Sequence, residues 1–587
     1  MLNPYDDRYD YGNELKPPYT YKLDFAIGTT YSLNFDALIG ACFSLCSGIS
    51  TDDINNYNET NKDTLVLSML DKINKNVAIF CESGKIQKPS RISKLHIKLE
   101  DSIFQIKEQD GIFHPKTWLI RYKNNFGNIK YRFIVLSRNI SFDNSWDVLC
   151  SFDGELTENK NNNKELIDFI KYLKENITDN AKRDKIDNII NELSKVEFEH
   201  DGYSEMQVIP FGIENYRTQN IDMYNSSKMG SNTKLFIMSP FISDSIIKQF
   251  NNNLPYLSTD NYLITRYSEL HSISSKDTKN LNVYVMNENL VELDESGLYS
   301  NDIHAKIYFT QNEKDKNLYI GSLNATNHAF YNNIELMVRL KCYDNYNTHY
   351  VASSIINPKK NSDTPAFVKI DNIDQYKDQI NMDEKKLDDQ INSIINNISR
   401  QKIKATVIKN ENNYSLKVYF ELTDFPLEVK VSPYLSQQWK NIDKELLFEN
   451  LDLADISMFY LIKVEKKEFV IKIETNGLPD RTACLNKLTI KTKEDFEDYL
   501  QYMLDDSGIS TIMNDIIYQK RLVQYGNPNN KTISIIKSNN LYEELLKKSY
   551  ENRNIINEIN KTIESLNDKI VDKEMKTLFK AFSEALK

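Results

Sequence analysis

Histidine is scarce in this chain, seven residues of 587, yet two of the seven stand in matching contexts. His114-Pro115-Lys116 is echoed by His304-Ala305-Lys306, and each triplet is followed by an apolar run ending in Ser-x-Asn: Ser137-Arg138-Asn139 and Ser322-Leu323-Asn324. These residue types suit chemistry at phosphorus. A neutral imidazole can attack phosphorus and a protonated one can protonate the leaving oxygen; one histidine cannot do both in the same step. Two copies allow the division of labour if both reach one pocket. Lysine supplies positive charge to phosphoryl oxygens as their charge builds, and the Asn and Ser side chains are expected to donate hydrogen bonds to the same oxygens. The doubled set could stabilise a phosphoryl transition state without a metal, so no cofactor is expected.

Positioning these residues requires two similar halves. Residues i and i+2 of an extended strand face the same side, which would pair His114 with Lys116 and His304 with Lys306. Thr117–Tyr122 and Tyr131–Leu136 read as strands joined by a turn, and Ile303–Thr310 and Leu318–Gly321 repeat that hairpin. Tyr21–Ile27 and Val77–Cys81 read as strands of the first half, with a helix through Leu38–Leu45 between them. Lys234–Met238, a polar loop with capping residues and a helix over Ser245–Asn251 open the second half. Tyr262–Thr265 and Asn282–Met286 are its further strands, and the charged stretch Glu155–Glu199 is expected to form connecting helices. Pro358–Pro365 reads as a linker. Beyond it come a helix over Tyr376–Ser399, strands over Tyr414–Leu422, Leu427–Val431, Ser457–Val464 and Glu468–Ile473, and an amphipathic tail over Glu543–Lys587. The expected division is 1–205 and 206–355 for the halves and 356–587 for an accessory module.

Composition narrows the setting. A 40% hydrophobic, 11% aromatic chain suits packed domains. The net charge of −11 leaves any polyanion site to a local patch, and residues 80–140 offer one, with twelve Lys/Arg against five Asp/Glu. The six cysteines show no Cys-x-x-Cys spacing and read as core residues, so neither disulfides nor zinc are expected. The polar start Met1–Lys16 does not resemble a signal peptide, and the apolar stretch Phe35–Cys46 is too short for a membrane span. A cytoplasmic, membrane-free protein is the expectation. A third His-x-Lys, His96-Ile97-Lys98, lacks a following Ser-x-Asn and reads as structural; Trp118 and Trp146 read as core anchors.

The pattern resembles the phospholipase D superfamily, with its duplicated HxK…GSxN signature, over roughly residues 20–350. His304-Ala-Lys306…Gly321-Ser-Leu-Asn324 carries the best match, and Asn333-Ile-Glu335 falls where the family places an acid that orients a histidine. Ser137-Arg-Asn139 through Ser145-Trp-Asp147 resembles the first repeat of bacterial members, and Met238–Ser243 resembles the strand and loop that open a repeat. The Asp that usually lies five residues after each Lys is replaced by Arg121 and Gln311, and Leu136 stands where Gly is usual. The chain is thus HKN-like, similar to tyrosyl-DNA phosphodiesterases and some nucleases. The resemblance implies an α/β fold of two α-β-α sandwich halves packed pseudo-symmetrically around one site; the C-terminal α+β module, read from its own helix and strand patterns, lies outside it. It implies catalytic His114, Lys116, Asn139, His304, Lys306 and Asn324, with Ser137, Ser322, Glu335 and Asp147 in support. His114 would be the nucleophile and His304 the acid/base, with the reverse assignment open. The expected activity is metal-independent hydrolysis of nucleic acid, DNA rather than RNA, through a phosphohistidine, in a setting such as antiviral defence. A phospholipase or phosphatidyltransferase, and a nucleic-acid-binding subunit without turnover, are the alternatives. The C-terminal module would meet a protein partner.

Overall fold

The strand Tyr21–Thr30 is apolar on both faces, and its side chains divide by parity: Phe25 and Ile27 enter one buried cluster while Ala26 enters another. The same split recurs in Thr117–Asn124, where Leu119 faces one cluster and Trp118, Ile120 and Tyr122 the other. Strands of this kind must be covered on both sides, and they are. The computed structural model describes residues 11–47, 59–142, 145–217, 233–254, 260–287, 302–313, 315–357, 365–376, 382–504, 553–571 and 573–585.

Two large sheets share one plan. In the first, Tyr21–Thr30 pairs in parallel with Val77–Glu82, which pairs in parallel with Ile103–Ile106; its other edge pairs antiparallel with Thr117–Asn124. Ile129–Leu136, Leu149–Leu156 and Val196–Phe198 complete seven strands. In the second, Lys234–Met238 takes the central role, with Tyr262–Thr265 and Asn282–Met286 in parallel on one side and the hairpin Ile307–Gln311/Lys316–Gly321 on the other. Glu335–Cys342 and Tyr203–Phe211 extend it, and Phe367–Lys369 closes the far edge, giving eight strands. The mixed α/β class read from the sequence is what is found. The expected connector contains two helices, Lys164–Glu175 and Asn180–Leu193, flanked by strands of the first sheet.

The sheets face each other through a single apolar cluster in which Phe25, Leu119, Phe133 and Phe152 meet Phe236, Phe309, Leu318 and Leu336. Burying such rings removes apolar area worth roughly 25 cal/mol per Å². Short bridges stitch the halves at the same place: Phe113 pairs with Ile334, and Trp146 with Ile303. Gly111 is required here by close approach, since a Cβ would sit 2.1 Å from the Asn332 carbonyl oxygen of the other half.

The C-terminal residues do not stand apart. Helix Met382–Arg400 covers two small sheets, and the two-residue strand Ile86–Gln87 of the first half is the edge strand of one of them, beside Lys467–Lys472. Tyr434, Phe459, Leu461 and Val470 share a core with Leu33, Phe35 and Trp118. Most of the linker expected at 358–365, and the start of the tail expected at 543, lie outside the described residues; the tail's helices Arg553–Ser565 and Lys573–Ala585 lie within them. Trp118 is fully buried, and His96 is locked between Tyr434 and Asp36, a structural role for the third His-x-Lys.

Six of the twelve cations in the basic segment 80–140 are paired with acids from outside it. Lys88, Lys94, Lys98, Arg121, Lys130 and Arg132 pair with Glu468, Asp455, Asp71, Asp24, Glu155 and Asp153, all distant in sequence or outside the segment. No helix among the described residues is long and apolar enough to cross a membrane.

Candidate active site

Each His-x-Lys triplet lies just ahead of its hairpin, not inside a strand, and is held by the other half's backbone. His114 N–H donates to Ile334 O at 2.9 Å, and His304 N–H to Trp146 O at 2.9 Å. These bonds set each imidazole beside the next residue of the opposite half. His114 Nδ1 donates to Glu335 Oε2 at 2.8 Å, and His304 Nδ1 meets Asp147 Oδ1 at 3.2 Å. The histidine of one half is thus oriented by the carboxylate of the other, twice. Sequence reading named both acids; the exchange between halves is visible only in the fold.

The lysines fold back onto the same triplets. Lys116 Nζ donates to His114 O at 3.1 Å and approaches His114 Nε2 at 2.8 Å; Lys306 Nζ donates to His304 O. Both ammonium-bearing chains are fully buried. Burial, and then the charge of Lys116, push Lys306 well below the ordinary lysine range, while Asp147 and Glu335 pull it back. Burial likewise pushes the His114 imidazole down; Glu335 opposes this, Lys116 and Lys306 reinforce it, and the net value is about 4. His114 is therefore neutral near pH 7, its Nδ1 proton on Glu335 and its Nε2 lone pair turned toward Lys116. Burial raises Asp147 above the usual carboxylate range, with the Ser137 hydroxyl and Lys306 acting against it.

The two serines correct a sequence expectation. They do not serve as donors to a bound anion: Ser137 Oγ donates to Asp147 Oδ1 at 2.7 Å and Ser322 Oγ donates to Glu335 Oε2. Each also accepts a backbone N–H, from Val148 at 2.9 Å and Leu336 at 3.0 Å. They hold the carboxylates that hold the histidines. Asn333 Nδ2 donates to the second Glu335 oxygen at 3.1 Å, whereas Asp147 Oδ2 is buried without a partner among the described residues.

Asn139 Oδ1 accepts from Ser32 N at 3.4 Å, which leaves its Nδ2 to donate elsewhere. Asn324 Oδ1 is buried and unpartnered among the described residues. Behind each stands a loop that closes a central strand. Thr30 Oγ1 donates to Ser32 O and accepts from Ile140 N; Ser239 Oγ donates to Phe241 O and accepts from Ala325 N. The bridges Leu33–Ile140 and Ile242–Ala325 complete the match. Thr30 and Ser239 were not anticipated, because Thr30-Tyr-Ser-Leu33 and Ser239-Pro-Phe-Ile242 share almost no residues; a buried hydroxyl ending an apolar strand was the available signal.

Four further groups lie against these residues or the backbone just before them. Tyr31 meets the His114 ring edge to face at 5.2 Å and lies against Lys116. Glu82, buried and pushed up by burial to about 7, accepts from Phe113 N at 2.6 Å, just before His114. Arg266 donates Nε and Nη2 to Ile303 O at 2.9 and 2.8 Å, just before His304. Arg400 of the C-terminal helix donates to the carbonyls of Gln109 and Gly111 on the approach to His114. The two residues standing where the family's Asp is usual serve structure: Arg121 pairs with Asp24 and Glu192, and Gln311 accepts from Thr348.

No family model matches the sequence, and neither does any curated protein. Solved structures do show likeness. The chain is similar to yeast tyrosyl-DNA phosphodiesterase at 13% identity and TM-score 0.34, covering 56% of this chain and 86% of that one. It is similar to phosphatidylserine synthase of Haemophilus influenzae at 10% identity and TM-score 0.36, covering 66% and 92%. It is similar to polyphosphate kinase of Porphyromonas gingivalis at 12% identity and TM-score 0.34, covering 62% of this chain and about half, 47%, of that one.

Proposed function

We propose that the chain is a phosphodiesterase that hydrolyses nucleic acid through a covalent phosphohistidine, and the crossed pairing of His114 with Glu335 and His304 with Asp147 is the observation that carries the reading. His114, neutral and with its Nδ1 proton fixed on Glu335, attacks phosphorus through Nε2. Lys116 moves from that nitrogen to a phosphoryl oxygen, where Lys306, Asn139 and Asn324 join it in stabilising the charge that develops. His304 gives a proton to the departing ester oxygen as the P–O bond breaks. A water molecule then attacks phosphorus from the leaving-group side, forming a P–O bond as the P–N bond breaks; His304 takes its proton, and His114 is released neutral.

The acid side of the pH profile tests the nucleophile. Protonation of His114 removes the attacking lone pair. Because its value is lowered to about 4 from the ordinary 6.5, kcat/KM is expected to stay level on the acid side down to about pH 5 and to halve near pH 4. A limb centred near 6.5 would place the nucleophile elsewhere. The reading as a whole is tested by incubating the purified chain with end-labelled DNA and RNA in chelator. Cleavage of DNA in preference to RNA is expected. Headgroup release from phosphatidylcholine with no cut of either nucleic acid would replace the nuclease with a lipid-directed enzyme, and binding without turnover would leave a nucleic-acid-binding subunit.

A further inference from the structure

One aromatic ring stands partly exposed on the loop that bridges to Ala325, next to Asn324. Phe241 is 41% exposed, while its neighbours Pro240 and Ile242 are buried. The ring is not loose. Its carbonyl accepts from Ser239 Oγ at 2.7 Å, and Ile242 bridges to Ala325, next to Asn324. One face is backed by the Arg266 guanidinium, 4.7 Å from the ring centre. That guanidinium is itself fixed by Ile303 O and by Asp302 at 2.9 Å, and it stands one residue from His304. These bonds run through its Nε and Nη2. The ring and the cation thus link the loop bridged to Ala325, next to Asn324, with Ile303, the residue before His304.

We propose that Phe241, backed by Arg266, is a stacking platform for the nucleobase next to the scissile phosphate, so that the enzyme acts on single strands or unpaired ends. This rests on the nuclease reading above. A flat partner suits a single flat ring held by its neighbours, and a base brings a flanking phosphate whose charge suits the guanidinium behind the ring. A lipid tail suits it less. An acyl chain needs a continuous apolar surface, and the residues flanking Phe241, Pro240 and Ile242, are buried. In a duplex the bases already stack on one another and offer no free face to the ring.

The experiment compares the full chain with Phe241→Ala and Phe241→Trp on three substrates in chelator: a single-stranded oligonucleotide, the same strand with abasic sites flanking the cleaved bond, and its duplex. Phe241→Ala is expected to raise KM for the single strand on the order of tenfold, with kcat nearly unchanged and Phe241→Trp restoring KM. On the abasic strand the three proteins are expected to have equal KM, which also shows that the variants fold. Unchanged KM for Phe241→Ala on the intact single strand, or the same rise on the abasic strand, would overturn the platform while leaving the nuclease standing. A rise in KM seen only with phosphatidylcholine vesicles would assign the ring to lipid. Failure of the unsubstituted chain to cut any of the strands would remove the nuclease reading itself, and the platform with it.

Discussion

Replacing His304 by alanine is expected to stop turnover with the substrate's phosphoryl group bound to His114. The variant keeps the nucleophile, its Glu335 partner and both lysines, since Lys306 is bonded to the backbone carbonyl of residue 304, which alanine retains. It loses the group that protonates the leaving oxygen and later activates water. With a good leaving group the first step still proceeds, and the second does not. Steady-state kcat should fall by on the order of 10⁴ or more, and the intact mass of the protein should rise by one nucleotidyl group. A P–N bond to imidazole is acid-labile and stable in base, which identifies the adduct. His114→Ala should lose as much activity and carry no adduct. An adduct on His304 in the His114→Ala protein would reverse the two roles, and wild-type turnover in either variant would end the two-histidine mechanism.

Much of this site was legible in the sequence because its parts are local. His-x-Lys ahead of a strand and Ser-x-Asn after the next one are short patterns, and the hairpins between them have period-two apolar runs that survive any context. What was not legible depends on which remote residues meet. Ser137 and Ser322 were read as anion donors from their chemistry alone; the backbone N–H groups of Val148 and Leu336 turn both hydroxyls toward the carboxylates instead. Six of the cations of residues 80–140 looked unpaired because their partners, such as Glu468 and Asp455, lie outside the segment. Ile86–Gln87 is too short to announce itself as a strand, yet it joins the C-terminal sheet to the first half. Through Gln87, whose Nε2 donates to Ser32 Oγ at 3.1 Å, that sheet edge reaches the residue that holds Asn139. The C-terminal residues therefore act on the site by position, through Gln87 and Arg400, and no sequence pattern within them would have shown it.

The second large effect follows from the exchange of carboxylates. Glu335 has no exposed surface and holds three groups at once: His114 Nδ1, Ser322 Oγ and Asn333 Nδ2. Glu335→Ala removes the acceptor that fixes the His114 tautomer, so its proton can move to Nε2 and block the attack. By the measure of other acid–histidine pairs, kcat should fall by about 10³ to 10⁴. The loss of buried hydrogen bonds should cost about 1–3 kcal/mol of stability, which thermal unfolding would read separately. A second measurement distinguishes orientation from mere packing. Glu335 is the largest opposing influence on the lowered His114 value, so its removal should carry the acid limb of kcat/KM further below pH 4. A role in packing alone would slow the enzyme through lost fold and leave that limb in place. Asp147→Ala should act in the same direction on His304, and because Asp147 belongs to the first half and Glu335 to the second, neither half can hold its own histidine. Activity in either half alone would contradict the crossed arrangement on which the mechanism stands.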